Sequence, residues 1–314
     1  MEILNVTEIE PRLKHPAIFG RFDALNGGEA FVIHNDHDPK PIYYQMIAKR
    51  GQTFGWEYLA QGPDVWQVRI TKLEGSEKPA TVGELVAADY RKAEVFRKFG
   101  IDYCCGGKRT VEEACRKKGI DPDTVKKELA DAGTRGGSIH QDYNRWQPDF
   151  LADYIVATHH RYVTESLPML YELSAKVARV HGDSHPETVD IARHFEAVAQ
   201  ELQMHMHKEE HILFPYIKQL AAARRDGKPV ARPPFGTIAN PIRMMEAEHE
   251  SAGGSMEEIR QLSDSFTPPE DACMSYRVLY AKLNEFEQDL HQHIHLENNI
   301  LFPKAVDMEA TILG

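Results

Sequence analysis

Cysteine is scarce in this chain. There are four in 314 residues: Cys104 and Cys105 are neighbours, and Cys115 and Cys273 stand apart. So few thiols, so spaced, exclude a disulfide framework and fit a reducing compartment. Long apolar runs are missing as well, and none approaches the roughly 20 residues that a membrane helix needs. There is no long Lys/Arg run, and with a net charge of −11 the chain has no electrostatic draw towards nucleic acid or an anionic membrane. Its first residues, MEILNVTEIEPRLKH, lack a basic stretch followed by an apolar core, so no secretory signal is expected and a cytoplasmic location is. Histidine, by contrast, is plentiful, with 16 in the chain and most of them beyond residue 139. The length and a 42% apolar, 27% charged composition suit two or three ordinary globular domains.

Three segments are expected. Residues 1–74 read as βαβαββ. EILNVTEI and EAFVIHND are β-branched, HPAIFGRFDAL and PKPIYYQMIAKR carry Pro near a helix start, and TFGWEYLA and DVWQVRITKL alternate around QGP. That order predicts a small two-layer α/β domain. After a polar linker, EGSEKPA, residues 79–133 read as helical. Thr81–Glu84 and Thr110–Glu113 fit capping boxes, Asp121-Pro122 offers a cap followed by Pro at the first helical position, and Gly106-Gly107 mark a break with unusual backbone angles. A second linker, GTRGGS, precedes residues 146–314. Four long helices are expected there, over roughly 148–180, from the Ser184–Glu187 box to RRDGKP, over 239–264, and from the Thr267–Glu270 box to 308. Short connections make this an up-and-down bundle, with kinks at Pro215 and Pro303. The fold class is thus mainly α, with a small α/β domain in front.

One phrase occurs twice: HMHKEEHILFP from His205 and HIHLENNILFP from His293. In each, His and Glu at i and i+4 share a helix face, as His205/Glu209 and His293/Glu297. The inner histidines His207 and His295 recur too, but Glu210 and His211 become Asn298 and Asn299, so only the outer pair keeps its grammar. His160 precedes His205 by 45 residues and His249 precedes His293 by 44. The match favours His160 over His159, although one residue of loop would exchange them. Isolated His/Glu pairs are ordinary surface features. Two copies with matched upstream histidines point instead to six inward donors, with two carboxylates bridging two metals and two imidazoles completing each. An oxo or hydroxo bridge between two irons would leave positions open for a small molecule. His181, His185 and His194 read as solvated or capping, His207, His211 and His295 as structural or as supports behind the donors, and ILFP as core.

With HHRY, MEAEHE, TPPEDAC and both copies of the phrase, residues 148–308 resemble hemerythrin-like bundles. DYCCGGKRT in a short helical segment ahead of them resembles the di-iron proteins of the iron–sulfur cluster repair family. The resemblance implies iron ligation by His160, His205, Glu209, His249, His293 and Glu297, and so selects His160. It departs from oxygen carriers, which use five His with Glu and Asp, and this argues against reversible oxygen transport. It implies a cytoplasmic non-haem di-iron protein that restores iron–sulfur clusters after nitrosative or oxidative stress by supplying iron. Damaged iron–sulfur proteins would be its partners, and nitric oxide or oxygen its small ligands. The alternatives are a di-iron oxidoreductase or scavenger acting on those species, and a gas or iron sensor. No nucleic acid or membrane partner is expected, and the oligomeric state is open, a homodimer included. Residues 1–74, with NDHDPKP, resemble a small uncharacterised bacterial domain laid out like sulfur carriers, yet they hold no cysteine; His15, His34 and His37 read as solvated.

Cys104-Cys105 is the second candidate site, read as a redox or iron relay. Adjacent cysteines close only a strained ring. A helix running on from Gly107, with Lys108 and Arg109 beside it, would lower the thiol pKa. Cys115 and Cys273 read as core residues.

Overall fold

A computed structural model of the chain describes residues 2–50, 53–63, 65–73, 79–134, 142–227 and 229–313. Of the two expected linkers, residues 74–78 and 135–138 lie outside these. The chain divides into two compact units, 1–79 and 80–314.

The first unit has the expected order: β1 (Glu2–Asn5), α1 (Pro11–Asp23), β2 (Ala30–Asn35), α2 (Lys40–Arg50), β3 (Phe54–Ala60) and β4 (Trp66–Lys72). The sheet runs β1-β2-β4-β3. β1 and β2 are parallel, and β4 is antiparallel to both β2 and β3. Phe31, Ile33, Val68 and Ile70 alternate onto one face and pack with Ile18, Phe22 and Met46 of the helices, since a period of two sends every second side chain to the core. His15, His34 and His37 go to separate partners, Gln45, Gln67 and Asp36, and belong to no metal-capable group among the described residues.

The second unit opens with four short helices, α3 (Val82–Ala88), α4 (Lys92–Lys98), α5 (Val111–Lys118) and α6 (Pro122–Thr134). Both Thr capping boxes form, so two otherwise orphaned N–H groups are satisfied at each helix start. The bundle follows as four rods. The first is α7 (Pro148–Ile155) and α8 (Arg161–His181), and the second is α9 (Glu187–Lys208) and α10 (Phe214–Asp226). The third is α11 (Ala239–Leu262), and the fourth is α12 (Met274–Leu296) and α13 (Phe302–Leu313). α9 packs on α8 and α11, and α12 on α8, while α10 packs on α7 and α13. Two of the expected helix starts differ. The second rod begins at Glu187 without a Ser184 cap, and the fourth at Met274, because Thr267–Cys273 is spent turning the chain. No helix among the described residues is long and apolar enough to cross a membrane.

Three rods are interrupted by one π-helical turn, at Val156–His160, Glu209–Leu213 and Glu297–Leu301. Two of these end just before the LFP prolines. Pro215 and Pro303 bring no N–H to the carbonyl four residues back, and the helix answers by widening for one turn before resuming. The first π turn has no proline near it.

Two apolar clusters divide the unit. One joins α8, α9, α11 and α12 to Val82, Phe96, Ile101 and Cys104 of the short helices. The other joins α7, α10 and α13 through Leu151, Phe214, Ile217 and Phe302. The three π turns fall at the seam between them.

Candidate metal centre

At that seam the six doubled residues converge. His160, Glu209, His293 and Glu297 bring one donor atom each to within 4.8 Å of one another, and so do His205, Glu209, His249 and Glu297. Both carboxylates belong to both groups. Each group draws its two histidines from different halves of the repeat. His249 Nε2 is 3.1 Å from Glu297 Oε2, His293 Nε2 3.1 Å from Glu297 Oε1, and His160 and His205 Nε2 each 3.3 Å from Glu209 Oε2. Donors about 2.1 Å from a common ion stand about 3 Å apart when they meet at right angles, which matches these separations. All six residues are buried, the two glutamates completely.

Such a set is costly without an ion. His160 Nε2, both Glu209 oxygens and Glu297 Oε2 have no hydrogen-bond partner, and His205 and His249 turn Nε2 atoms towards each other at 3.0 Å. Buried polar atoms left unpaired are expensive, and the arrangement fits a cation that takes these lone pairs. Charge compensation works in the same direction. Burial and the neighbouring Glu297 oppose ionisation of Glu209, but His205 and His160 outweigh them and hold its carboxyl below the ordinary range. Burial likewise opposes the charge on Glu297, and His293 and His249 hold it well below that range. Burial disfavours the charged form of His205, yet Glu209 raises it to about 9.

Residues that the sequence reading did not single out aim these rings. His160 Nδ1 donates to Glu210 at 2.8 Å, His205 Nδ1 to Glu248 at 2.8 Å, and His249 Nδ1 to the Asn298 amide oxygen at 2.9 Å. A carboxylate only accepts, so Nδ1 carries the proton and Nε2 is left to a metal. The signal was present: the residue after each outer glutamate has an acceptor side chain, Glu210 or Asn298, and each serves the upstream histidine of its own half. His159 is also buried, but its Nδ1 pairs with Asp289 at 2.9 Å, its ring stacks on His293, and it belongs to neither four-donor group.

The cysteine pair lies on the loop between α4 and α5, which touches α11. Cys104 and Cys105 are free thiols with Sγ atoms 3.9 Å apart. The expected helix does not start there, since residues 103–109 form bends and a turn and α5 begins at Val111. The Cys105 thiol, burial and Asp102 push the Cys104 thiol pKa well up, opposite to the expectation, and Lys108 is committed to Glu246. Gly106 and Gly107 are not in the left-handed region. Their smallness serves close approach: a Cβ on Gly106 would lie 2.8 Å from the Asp102 carbonyl oxygen, and one on Gly107 2.6 Å from Asn299 Oδ1. Asn299 Nδ2 donates to the Tyr103 carbonyl at 3.2 Å and approaches His295 Nδ1 at 3.0 Å, binding the loop to α12–α13. Cys115 is buried as expected. Cys273 is exposed, not core, because the fourth rod starts after it; its Sγ lies 3.2 Å from His181 Nε2.

Comparison with known proteins adds to this geometry. Residues 3–72 match the family model described as "Uncharacterized conserved protein (DUF2249)", residues 78–133 a domain of unknown function, and residues 151–305 the "Hemerythrin HHE cation binding domain". The iron–sulfur cluster repair protein YtfE of Enterobacter sp. (strain 638) is 39% identical over 225 residues, which is 72% of this chain and 96% of that protein. The chain belongs to the iron–sulfur cluster repair family. Its relatives of the same name in Yersinia pseudotuberculosis (serotype O:1b, strain IP 31758) and Yersinia pestis (strain Pestoides F) are 38% and 37% identical over 226 residues, again 72% of this chain and 96% of theirs. The hemerythrin match covers all six converging residues, and the match at 78–133 covers the cysteine pair.

Proposed function

We propose that the bundle holds two iron ions, with Glu209 and Glu297 shared between them, and that the protein restores damaged iron–sulfur clusters by supplying iron. The observation that carries this reading is the pair of four-donor groups with both carboxylates in common. Two imidazoles and two carboxylates per ion suit iron. Bound there, the ions supply a redox-active centre and a store of transferable iron. The protein's part is to hold and aim. Glu210, Glu248 and Asn298 orient three rings, and the apolar clusters on either side of the seam keep water out. Cys104 and Cys105, the second with its sulfur close to the backbone of α11, act as a redox or iron relay towards protein partners with damaged clusters in the cytoplasm.

Iron content and Mössbauer spectra test the centre, with about two irons per chain expected and fewer than one overturning it. An iron–sulfur enzyme inactivated by nitric oxide should regain activity when the iron-loaded protein is added; absence of rescue removes the repair role and leaves the centre. A second reading rests on donor number. Four protein donors per group leave positions on six-coordinate iron for nitric oxide or oxygen species. Repeated turnover of nitric oxide, against a single stoichiometric reaction, would favour it.

A further inference from the structure

Beside the bundle centre, the second unit has a cavity of about 690 Å³ with both cysteines in its wall. Arg97, Arg109, Lys117 and Lys118 also line it, and none of them forms an ion pair among the described residues. Glu250 and Glu257 oppose them. Four uncommitted cations around one cavity are unusual in a chain with a net charge of −11, and they make the cavity attractive to small anions.

The wall itself has the makings of a site. Asp102, Cys104 and Cys105 each bring a donor atom to within 4.8 Å of the others. The Sγ–Sγ separation is 3.9 Å. Two thiolates about 2.3 Å from one tetrahedral ion stand about 3.8 Å apart. Asp102 Oδ1 is 3.1 Å from Cys104 Sγ, and the carboxylate is held there by the N–H groups of Cys104 and Gly106, at 3.0 and 2.8 Å. Two sulfurs and one oxygen are a softer donor set than the nitrogen and oxygen atoms of the bundle, so an ion held here exchanges more readily with thiol ligands. The two places are also neighbours, because Cys105 Sγ is 3.4 Å from the backbone oxygen of His249.

We propose that Asp102, Cys104 and Cys105 form a second metal site, for one thiophilic divalent ion, whose fourth ligand is an anionic thiol taken from the cavity. Binding of the ion releases the two cysteine protons, coordination of the incoming thiol releases its own to solvent, and no electrons move. Two thiolates and a carboxylate around a divalent ion carry one net negative charge, and a thiolate from solution adds another. Arg97, Arg109, Lys117 and Lys118 offset that charge and hold the carboxylates of the incoming thiol. The proposal rests on the relay reading of the cysteine pair and names what the relay binds and hands over: an ion leaving on a small carboxylate-bearing thiol.

The test uses the full chain with its bundle centre already filled with iron, titrated with cobalt(II). One further equivalent should bind with a thiolate-to-cobalt charge-transfer band and the visible bands of a tetrahedral ion. Glutathione should shift those bands and tighten binding, and S-methylglutathione should do neither. Cys104→Ser and Cys105→Ser should each weaken cobalt binding at least tenfold while iron content is retained. Arg97→Glu with Arg109→Glu should abolish only the glutathione effect. The inference is overturned by the absence of a charge-transfer band, by a band that survives the double serine variant, or by a spectrum indifferent to glutathione. Loss of the cobalt site with cluster reactivation intact sinks this inference alone. Failed reactivation with the cobalt site intact sinks the repair reading alone.

Discussion

The two copies of the repeated phrase do the same work at the centre and different work behind it. In both, His at the first position and Glu at the fifth turn inward, and the next residue steadies the upstream histidine of its half. Copy one uses Glu210, partly exposed, on His160; copy two uses Asn298, buried, on His249. The seventh position separates them fully. His211 is exposed and stacks on His207, whereas Asn299 lies under the cysteine loop and ties down the Tyr103 carbonyl. Internal symmetry therefore reaches as far as the donors and the partners of the two upstream histidines; it already fails at His205 and His293, since His205 Nδ1 has Glu248 and the buried His293 Nδ1 has no partner among the described residues. It stops where only one half is covered by another segment, because a covered surface must satisfy the hydrogen bonds of what covers it.

The deepest cut is at the shared carboxylates. Glu209→Ala or Glu297→Ala takes a donor from both groups, so either variant should fall from about two irons to below one per chain by metal analysis, with the dinuclear Mössbauer signal lost. If one of them keeps it, the halves are not equivalent at the centre. The orienting residues come next. Glu210→Ala and Asn298→Ala should each weaken metal binding by about 10–100-fold in chelator competition. Asn298→Ala should cost more, since water reaches the exposed place of Glu210 and not the buried one. At the seventh position, Asn299→Ala leaves buried carbonyl groups unpaired and should cost about 1–3 kcal/mol in denaturant unfolding. His211→Ala, its counterpart, should stay within about 0.5 kcal/mol. Amide exchange over residues 103–107 should rise in the first variant only.

The smallest effect lies at the far end of the bundle. There His185 pairs with Asp271 at 3.1 Å, and this partner raises the histidine pKa above its ordinary 6.5. A raised folded value contributes stability below the unfolded pKa and loses it as pH rises through the folded one. His185→Gln should therefore lower the melting temperature slightly at pH 6 and not at pH 9. A loss equal at both pH values would mean that packing, not charge, holds this corner.

Much of the architecture was legible in order and period. The βαβαββ alternation, the Thr capping boxes and the four rods follow from residue spacing and caps, which act locally. Ser184 and Thr267 misled for the same reason: a capping pattern names a place where a helix can begin, and the turn geometry between rods decides whether it does. Cys273 read as core because cysteine usually is, but nothing in its neighbours revealed that the rod starts one residue later.

For the centre, repetition let the sequence point to His205, Glu209, His249, His293 and Glu297 and favour His160, while the choice of His160 over His159 came from the family resemblance, because one residue of loop would exchange them. Tertiary structure decided the rest. Which histidine shares a group with which depends on how the rods pack, and so each group mixes the two halves. The orienting roles of Glu210, Glu248 and Asn298 depend on contacts across 40–50 residues of chain. The cysteine loop shows this most clearly: from sequence it was two thiols beside two cations at a helix start. Folded, it is a turn clasped by Asn299, with its glycines needed for closeness, one thiol buried, and a cation-lined cavity assembled from segments that the sequence keeps far apart.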